Sequence, residues 1–168
     1  RRAAEHLLHA GATTLGIIAG PLDRDAAEDR LRGFREYLAQ HDIPLPDSRV
    51  FYGSFDTQTG QTALHALLDL EPEIDGVFCA NDDMAAGAMN AALERGIPVP
   101  EELKLLGFDN QKFTAFWPTP ISTFSLPMEQ MGRMGAEALF TALGGTDVGY
   151  SRMYVRSTLI PRQSTGWS

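Results

Sequence analysis

Residues 76–109 constrain the fold more than any other stretch. They open on Gly-Val-Phe-Cys-Ala-Asn-Asp-Asp-Met-Ala and pass through an Ala- and Met-rich segment over 84–94. They close on Gly96-Ile97-Pro98-Val99-Pro100 and then Leu103-Lys104-Leu105-Leu106-Gly107-Phe108-Asp109-Asn110. Two short apolar runs, 77–80 and 103–108, flank the helical segment, the sequence form of a βαβ unit with parallel strands. Small polar residues end each run: Asn81-Asp82-Asp83 after the first and Asp109-Asn110 after the second. In open α/β sheets, ligands sit outside the carboxyl ends of the strands. Neighbouring strands lie about 5 Å apart, so adjacent strands would bring Asn81 and Asp109 to one crevice. Asn81 or Asp82 also suits the cap of the helix that follows. Asp109 has no helical pattern immediately behind it.

The rest of the chain repeats this alternation. Residues 2–10 have helical spacing and stop at Gly11, and 15–19 form an apolar run broken by Gly20-Pro21. Asp25-Ala26-Ala27-Glu28 has the form of a capping box for a helix to about residue 40, with Leu31, Phe34 and Leu38 inward. A Pro-rich connection over 43–46 leads to a short strand at 50–52. A Thr-, Gly- and Ser-rich loop over 53–60 precedes a helix at 61–70. Beyond Asp109 come a long loop to Pro120, an extended stretch at 121–125 and a helix at 127–143 stopped by Gly144-Gly145. Met128, Met131, Ala138, Leu139 and Leu143 are that helix's candidate packing residues. A strand at 154–160 and a frayed tail at 164–168 complete the reading. Strands and helices alternating through residue 109 predict a doubly wound parallel α/β sheet with helices on both faces.

Composition removes several function classes. A chain of 168 residues suits one domain, or one domain plus a fragment, and the lack of an initiator Met marks it as a possible piece of a longer protein. No apolar run approaches the ~20 residues of a membrane span, and the first residues lack the apolar core of a signal peptide. The single cysteine, Cys79, lies inside an apolar strand and excludes an internal disulfide, which favours a reducing compartment. A net charge of −8 argues against these residues gripping nucleic-acid phosphates.

Catalytic and metal-binding patterns are missing. His6, His9, His41 and His65 form no metal-ligand motif, and the His6/His9 pair reads as a solvated helix face. There is no Gly-x-Ser-x-Gly elbow and no phosphate-binding glycine loop. Asp82 and Asp83 read as a helix start rather than as a metal or phosphotransfer cluster. The chain is therefore expected to be a non-enzyme without metal or cofactor. What it does offer suits a polyol, whose hydroxyls both donate and accept. A buried hydroxyl left unpaired costs ~1–3 kcal/mol. Arg30 donates in a fork, Asn81 donates and accepts, Asp109 accepts, and the ring of Phe55 can cover an apolar sugar face. Considered singly, Arg30 also suits a surface ion pair with Glu28 or Asp29, and Phe55 a plug beneath its loop.

Several of these residues fall into one ordered set. Gly20-Pro21-Leu22, Arg30-x-x-Gly33-Phe34, Ala80-Asn81-Asp82-Asp83-Met84-Ala85-x-Gly87-Ala88, Gly96-x-x-Val99-Pro100 and Gly107-Phe108-Asp109-Asn110 are followed by Pro120 and Ser122-Thr123. Together they resemble the effector-binding core of the LacI/GalR (lactose/galactose repressor) family of transcription regulators, in order over essentially the whole chain. The resemblance implies a periplasmic-binding-protein-like (type I) fold. It also implies a bacterial, cytoplasmic regulator, usually a repressor. Such a core binds a sugar or similar small effector, dimerises, and reaches operator DNA only through an N-terminal domain that is missing here. A periplasmic sugar-binding protein of the same fold is the alternative.

Carried over by position, Arg30, Asn81 and Asp109 match effector-bonding residues and Phe55 the stacked aromatic. Leu126 stands where sugar-binding members place a polar contact. The resemblance assigns 1–124 and 156–168 to the C-terminal subdomain, and 125–155 to a missing N-terminal subdomain. That split would leave Met128, Met131, Met134 and Leu139 as an exposed apolar patch. It places a dimer interface at Ala86, Met89 and Trp117.

Overall fold

The computed structural model describes residues 1–144 and 153–167. The elements follow in the order α1 (Arg2–His9), β1 (Leu15–Ala19), α2 (Asp25–Gln40), β2 (Val50–Tyr52), α3 (Thr57–Leu70), β3 (Gly76–Cys79), α4 (Asp82–Glu94) and β4 (Lys104–Leu106). Then come β5 (Thr123–Ser125), α5 (Met128–Leu143) and β6 (Thr158–Ile160). The main sheet has the order β2-β1-β3-β4 and is parallel throughout. Side chains alternate between its faces, as the pleat requires. Ile18, Val77, Cys79 and Leu105 pack with α3 and α4. Leu15, Ile17, Phe78 and Leu106 pack with α1 and α2. Two cores on opposite faces are what a doubly wound sheet needs.

On the first face the helices approach closely. A methyl group at Gly60 would run into the Met84 backbone, and one at Gly87 into the carbonyl of Thr57. Beyond β4, residues 122–125 continue the sheet through parallel bridges from Leu106 to Ser122 and from Asp109 to Ser125. β5 then pairs antiparallel with β6. Between them the chain runs out through α5, which buries none of its residues, so Met128 and Leu139 are exposed. Met131 is exposed as well and Met134 partly so.

Five expectations change. Arg24 stands at the N-cap of α2 and makes no side-chain cap bond; Asp25 and Glu28 sit inside the first turn, where their negative charge is favourable at the positive end of the helix dipole. α3 begins four residues early, because the Asp56 carboxylate accepts from the Thr59 amide at 2.7 Å and caps it. The strand expected over 154–160 is confined to Thr158–Ile160. The expected frayed tail is docked: a 3-10 turn spans Gln163–Thr165, with Ser164 and Thr165 buried. His6 is buried with it rather than solvated, bonded to the Thr165 hydroxyl at 2.9 Å and stacked on Trp167. Gly145, expected to help stop α5, and Ser168 lie outside the described residues.

Candidate functional site

β1, β2, β3 and β4 all deliver their carboxyl ends to one edge of the sheet, and the segments behind them build a crevice. Its volume is about 440 Å³, and it is lined by Arg24, Ala26, Arg30, Phe55, Asn81 and Asp109. All four residues expected at an effector site meet there. β3 and β4 are hydrogen-bonded neighbours, which brings Asn81 and Asp109 to one rim. Arg24 and Ala26 were missed; their place just behind the Gly20-Pro21 break, at the carboxyl end of β1, was the available signal.

Each side chain is held by identifiable contacts. Arg30, one turn into α2, donates to the Ala80 carbonyl at 2.7 Å. Its guanidinium stands over the Phe108 ring, 4.0 Å from the centroid, and 3.8 Å from the Asp109 carboxylate. Burial pulls the Arg30 guanidinium down, with Asp109 opposing. The Asp109 carboxyl is raised, first by burial and then by Asp83, while Arg30 holds it down.

Asn81 serves two structural bonds: it accepts from the Met84 amide at 3.0 Å, capping α4, and donates to the Phe55 carbonyl at 2.9 Å. One amide hydrogen and one lone pair remain for a ligand. Phe55 has a φ of 63°. Its ring lies over Gly20, where an added methyl would collide with it. A separate cavity of about 490 Å³ adjoins Arg30 on the α1 and α2 side, where Phe78, Phe108, Phe124 and Tyr154 form much of its wall.

Two of the residues expected at a dimer surface are buried within this chain. Ala86 and Met89 are 3% and 7% exposed, covered by the core that Phe113 and Trp117 close from outside. Trp117 is partly exposed. The large apolar groups open to solvent on these elements are Phe116 and Leu93, at 86% and 79%. Among the described residues, no three His, Cys, Asp or Glu side chains could hold a metal ion, and no helix is long and apolar enough to cross a membrane.

Comparison with known proteins gives the same picture. The family model for the periplasmic binding protein-like domain matches residues 4–165. The HTH-type transcriptional repressor PurR of Haemophilus influenzae is 32% identical over 165 residues, covering 96% of this chain and 49% of that protein. The repressor CytR of Escherichia coli is 34% identical over 163 residues, with 97% and 48% covered. The transcriptional regulator CelR, solved as a cellobiose complex, superposes with a TM-score of 0.92 at 31% identity, over 96% of this chain and 50% of that one. The chain spans about half the length of the curated relatives it matches. It belongs to the periplasmic-binding-protein-like domain family, in the form found in LacI-family transcriptional regulators.

Proposed function

We propose that this chain is the C-terminal part of the effector-sensing core of a LacI-type regulator, most simply a repressor. The observation that carries the reading is the convergence of Arg30, Phe55, Asn81 and Asp109 on one strand-end crevice. A forked donor, an amide, a carboxylate and an aromatic ring match what a sugar or similar polar effector needs on one side. A bound effector would bias the relative pose of two subdomains and thereby the DNA-binding heads. The net charge of −8 suits a core that leaves DNA contact to another domain. The repressor names of the relatives favour this over a periplasmic sugar carrier. The reading also makes the protein a cytoplasmic non-enzyme.

The same reading assigns 1–124 and 156–168 to one subdomain and 125–155 to another. In support, β5 and β6 carry the chain away from the sheet and back, and α5 buries nothing against it. A homodimer belongs to the reading too, with Trp117 at its surface beside Phe116.

The test is thermal melting of the full-length protein against a panel of mono- and disaccharides and nucleosides. A molecule present at a hundred times its Kd stabilises by ~2.7 kcal/mol. Arg30→Ala and Asp109→Ala should each abolish the stabilisation. A melt that responds equally in wild type and both variants would overturn the assignment of the crevice.

A further inference from the structure

Asp82 is fully buried, and its carboxylate is the hub of the loop behind β4. A carboxylate out of water is unfavourable unless its oxygens are bonded. As the first residue of α4 it would ordinarily serve that helix's free amides. That work is done by Asn81, whose oxygen accepts from Met84. Asp82 instead reaches across the fold. One oxygen accepts from the Thr123 hydroxyl at 2.6 Å and the other from the Gln111 amide at 2.7 Å. The Thr123 hydroxyl in turn accepts from the Asn110 amide at 3.2 Å, so a relay runs from Asn110 through Thr123 to Asp82.

Between β4 and Gln111 lie Asp109 and Asn110, with φ of 113° and 56°. Two successive left-handed non-glycine residues persist only where their surroundings over-determine them. The Asp109 amide donates to the Phe124 carbonyl at 2.8 Å. The Arg162 guanidinium donates to the Asn110 side chain at 2.8 Å and to the Ile121 carbonyl at 2.7 Å. Asp83 accepts from the Gln111 side chain at 2.6 Å. Gly107 has no side chain because a methyl there would strike the Asp82 carboxylate.

We infer that Asp82 and Thr123 are positioning residues for the crevice: their relay holds the loop that presents the Asp109 carboxylate to Arg30. The inference rests on the proposed effector site and extends it, since neither residue touches the crevice. Thr123 also opens β5, the strand that runs on to α5. The crevice carboxylate is therefore braced against the point where the chain leaves the sheet.

The test needs no ligand, so its failure is separable from failure of the effector assignment. Side-chain carboxyl and backbone NMR of this chain would follow Asp109 through a pH titration in wild type, Thr123→Val and Thr123→Ser. Thr123→Val keeps the Asp82 side chain and removes the relay. The Asp109 carboxyl should then titrate closer to an exposed aspartate, and its Cα shift should leave the left-handed range. Thr123→Ser keeps the hydroxyl and should preserve both. An unchanged Asp109 in folded Thr123→Val overturns the inference. If that variant fails to fold, wild type decides alone. The Asn110 and Gln111 amide signals should move together as Asp82 titrates, and amides that stay flat through that titration overturn it equally.

Discussion

The Arg30 guanidinium stands over the Phe108 ring, 4.0 Å from its centroid, while one of its nitrogens donates to the Ala80 carbonyl at 2.7 Å. Ring and carbonyl belong to the ends of neighbouring strands, so one side chain from α2 bridges β3 and β4. A planar, forked cation is needed for both contacts. Arg30→Lys keeps the charge but loses the fork and most of the stacking, and should cost about 1–2 kcal/mol in denaturant unfolding. Arg30→Ala should do more at the neighbour. Arg30 holds the Asp109 carboxyl down against burial, so its removal should raise the Asp109 titration further. A carboxyl titration of Asp109 that does not rise would show that the two groups are uncoupled.

The buried carboxyl of Asp82 gives the fold a pH dependence of definite sign. Burial raises its pKa from the ordinary 3.8 to about 6, with the Thr123 and Gln111 bonds opposing. Between those values the folded chain keeps a proton that the unfolded chain has released. The contribution is therefore complete below pH 4 and lost as pH rises through 6. At 1.36 kcal/mol per pH unit the span amounts to roughly 3 kcal/mol. Glu71 and Glu94 are lowered and act in the opposite direction, so the quantity to measure is the difference between wild type and Asp82→Asn across pH 4–7. That difference should change between pH 4 and 6 and level off above it; parallel stability curves would remove Asp82 as their cause.

The strand-end crevice was legible because its parts are local signals. Apolar runs ending on Asn81 and Asp109 state both the strand and the edge it reaches, and β3–β4 pairing then follows from the βαβ unit. The bracing was not legible, because it depends on residues far apart in the chain. Asp82 and Thr123 are 41 positions apart, as are Arg162 and Ile121. Asp82 looked like an ordinary helix start, and nothing in its own neighbourhood says that its oxygens turn away from the helix. The tail failed for the same reason. Ser164 and Thr165 read as polar and terminal, yet they are buried by bonding to Ser122 and His6. The α3 boundary slipped for a local reason, because Asp56 sits among turn-forming residues and its capping role depends on Thr59.

Gly20 and Phe55 form a fit that a single carbon should break. A methyl at Gly20 would meet the Phe55 ring and would stand 2.9 Å from Ala27 Cβ. Asn81 holds the Phe55 carbonyl and its backbone is left-handed, so the ring can retreat only by turning about its own side-chain bonds. Gly20→Ala should therefore cost about 1–3 kcal/mol by overpacking. It should also displace the aromatic wall of the crevice. The check is a double-mutant cycle. In a Phe55→Ala background the cost of Gly20→Ala should largely vanish, since the colliding atoms are gone. Additive costs would place the strain elsewhere.

The docked tail supplies a second pH response, on the acid side. His6 accepts or donates to the Thr165 hydroxyl at 2.9 Å, and that oxygen lies 2.7 Å from Ser122 Oγ. Ser164 receives the Ser122 amide at 2.8 Å, so hydroxyls of the turn link α1 to Ser122, the residue before β5. Burial, with a smaller push from His9, lowers the His6 pKa below its ordinary 6.5. A base lowered by folding contributes stability that is present above the unfolded pKa and lost as pH falls through the folded one. Thr165→Val removes the shared hydroxyl and should cost about 1–3 kcal/mol near neutral pH. Trp167, stacked 6.4 Å from His6, reports the event. In a Trp117→Phe background, acidification should shift the remaining tryptophan emission to longer wavelength before the sheet unfolds. His6→Gln should abolish that early step and leave the later unfolding in place. An emission shift that survives in His6→Gln would show that the tail is released by some other group.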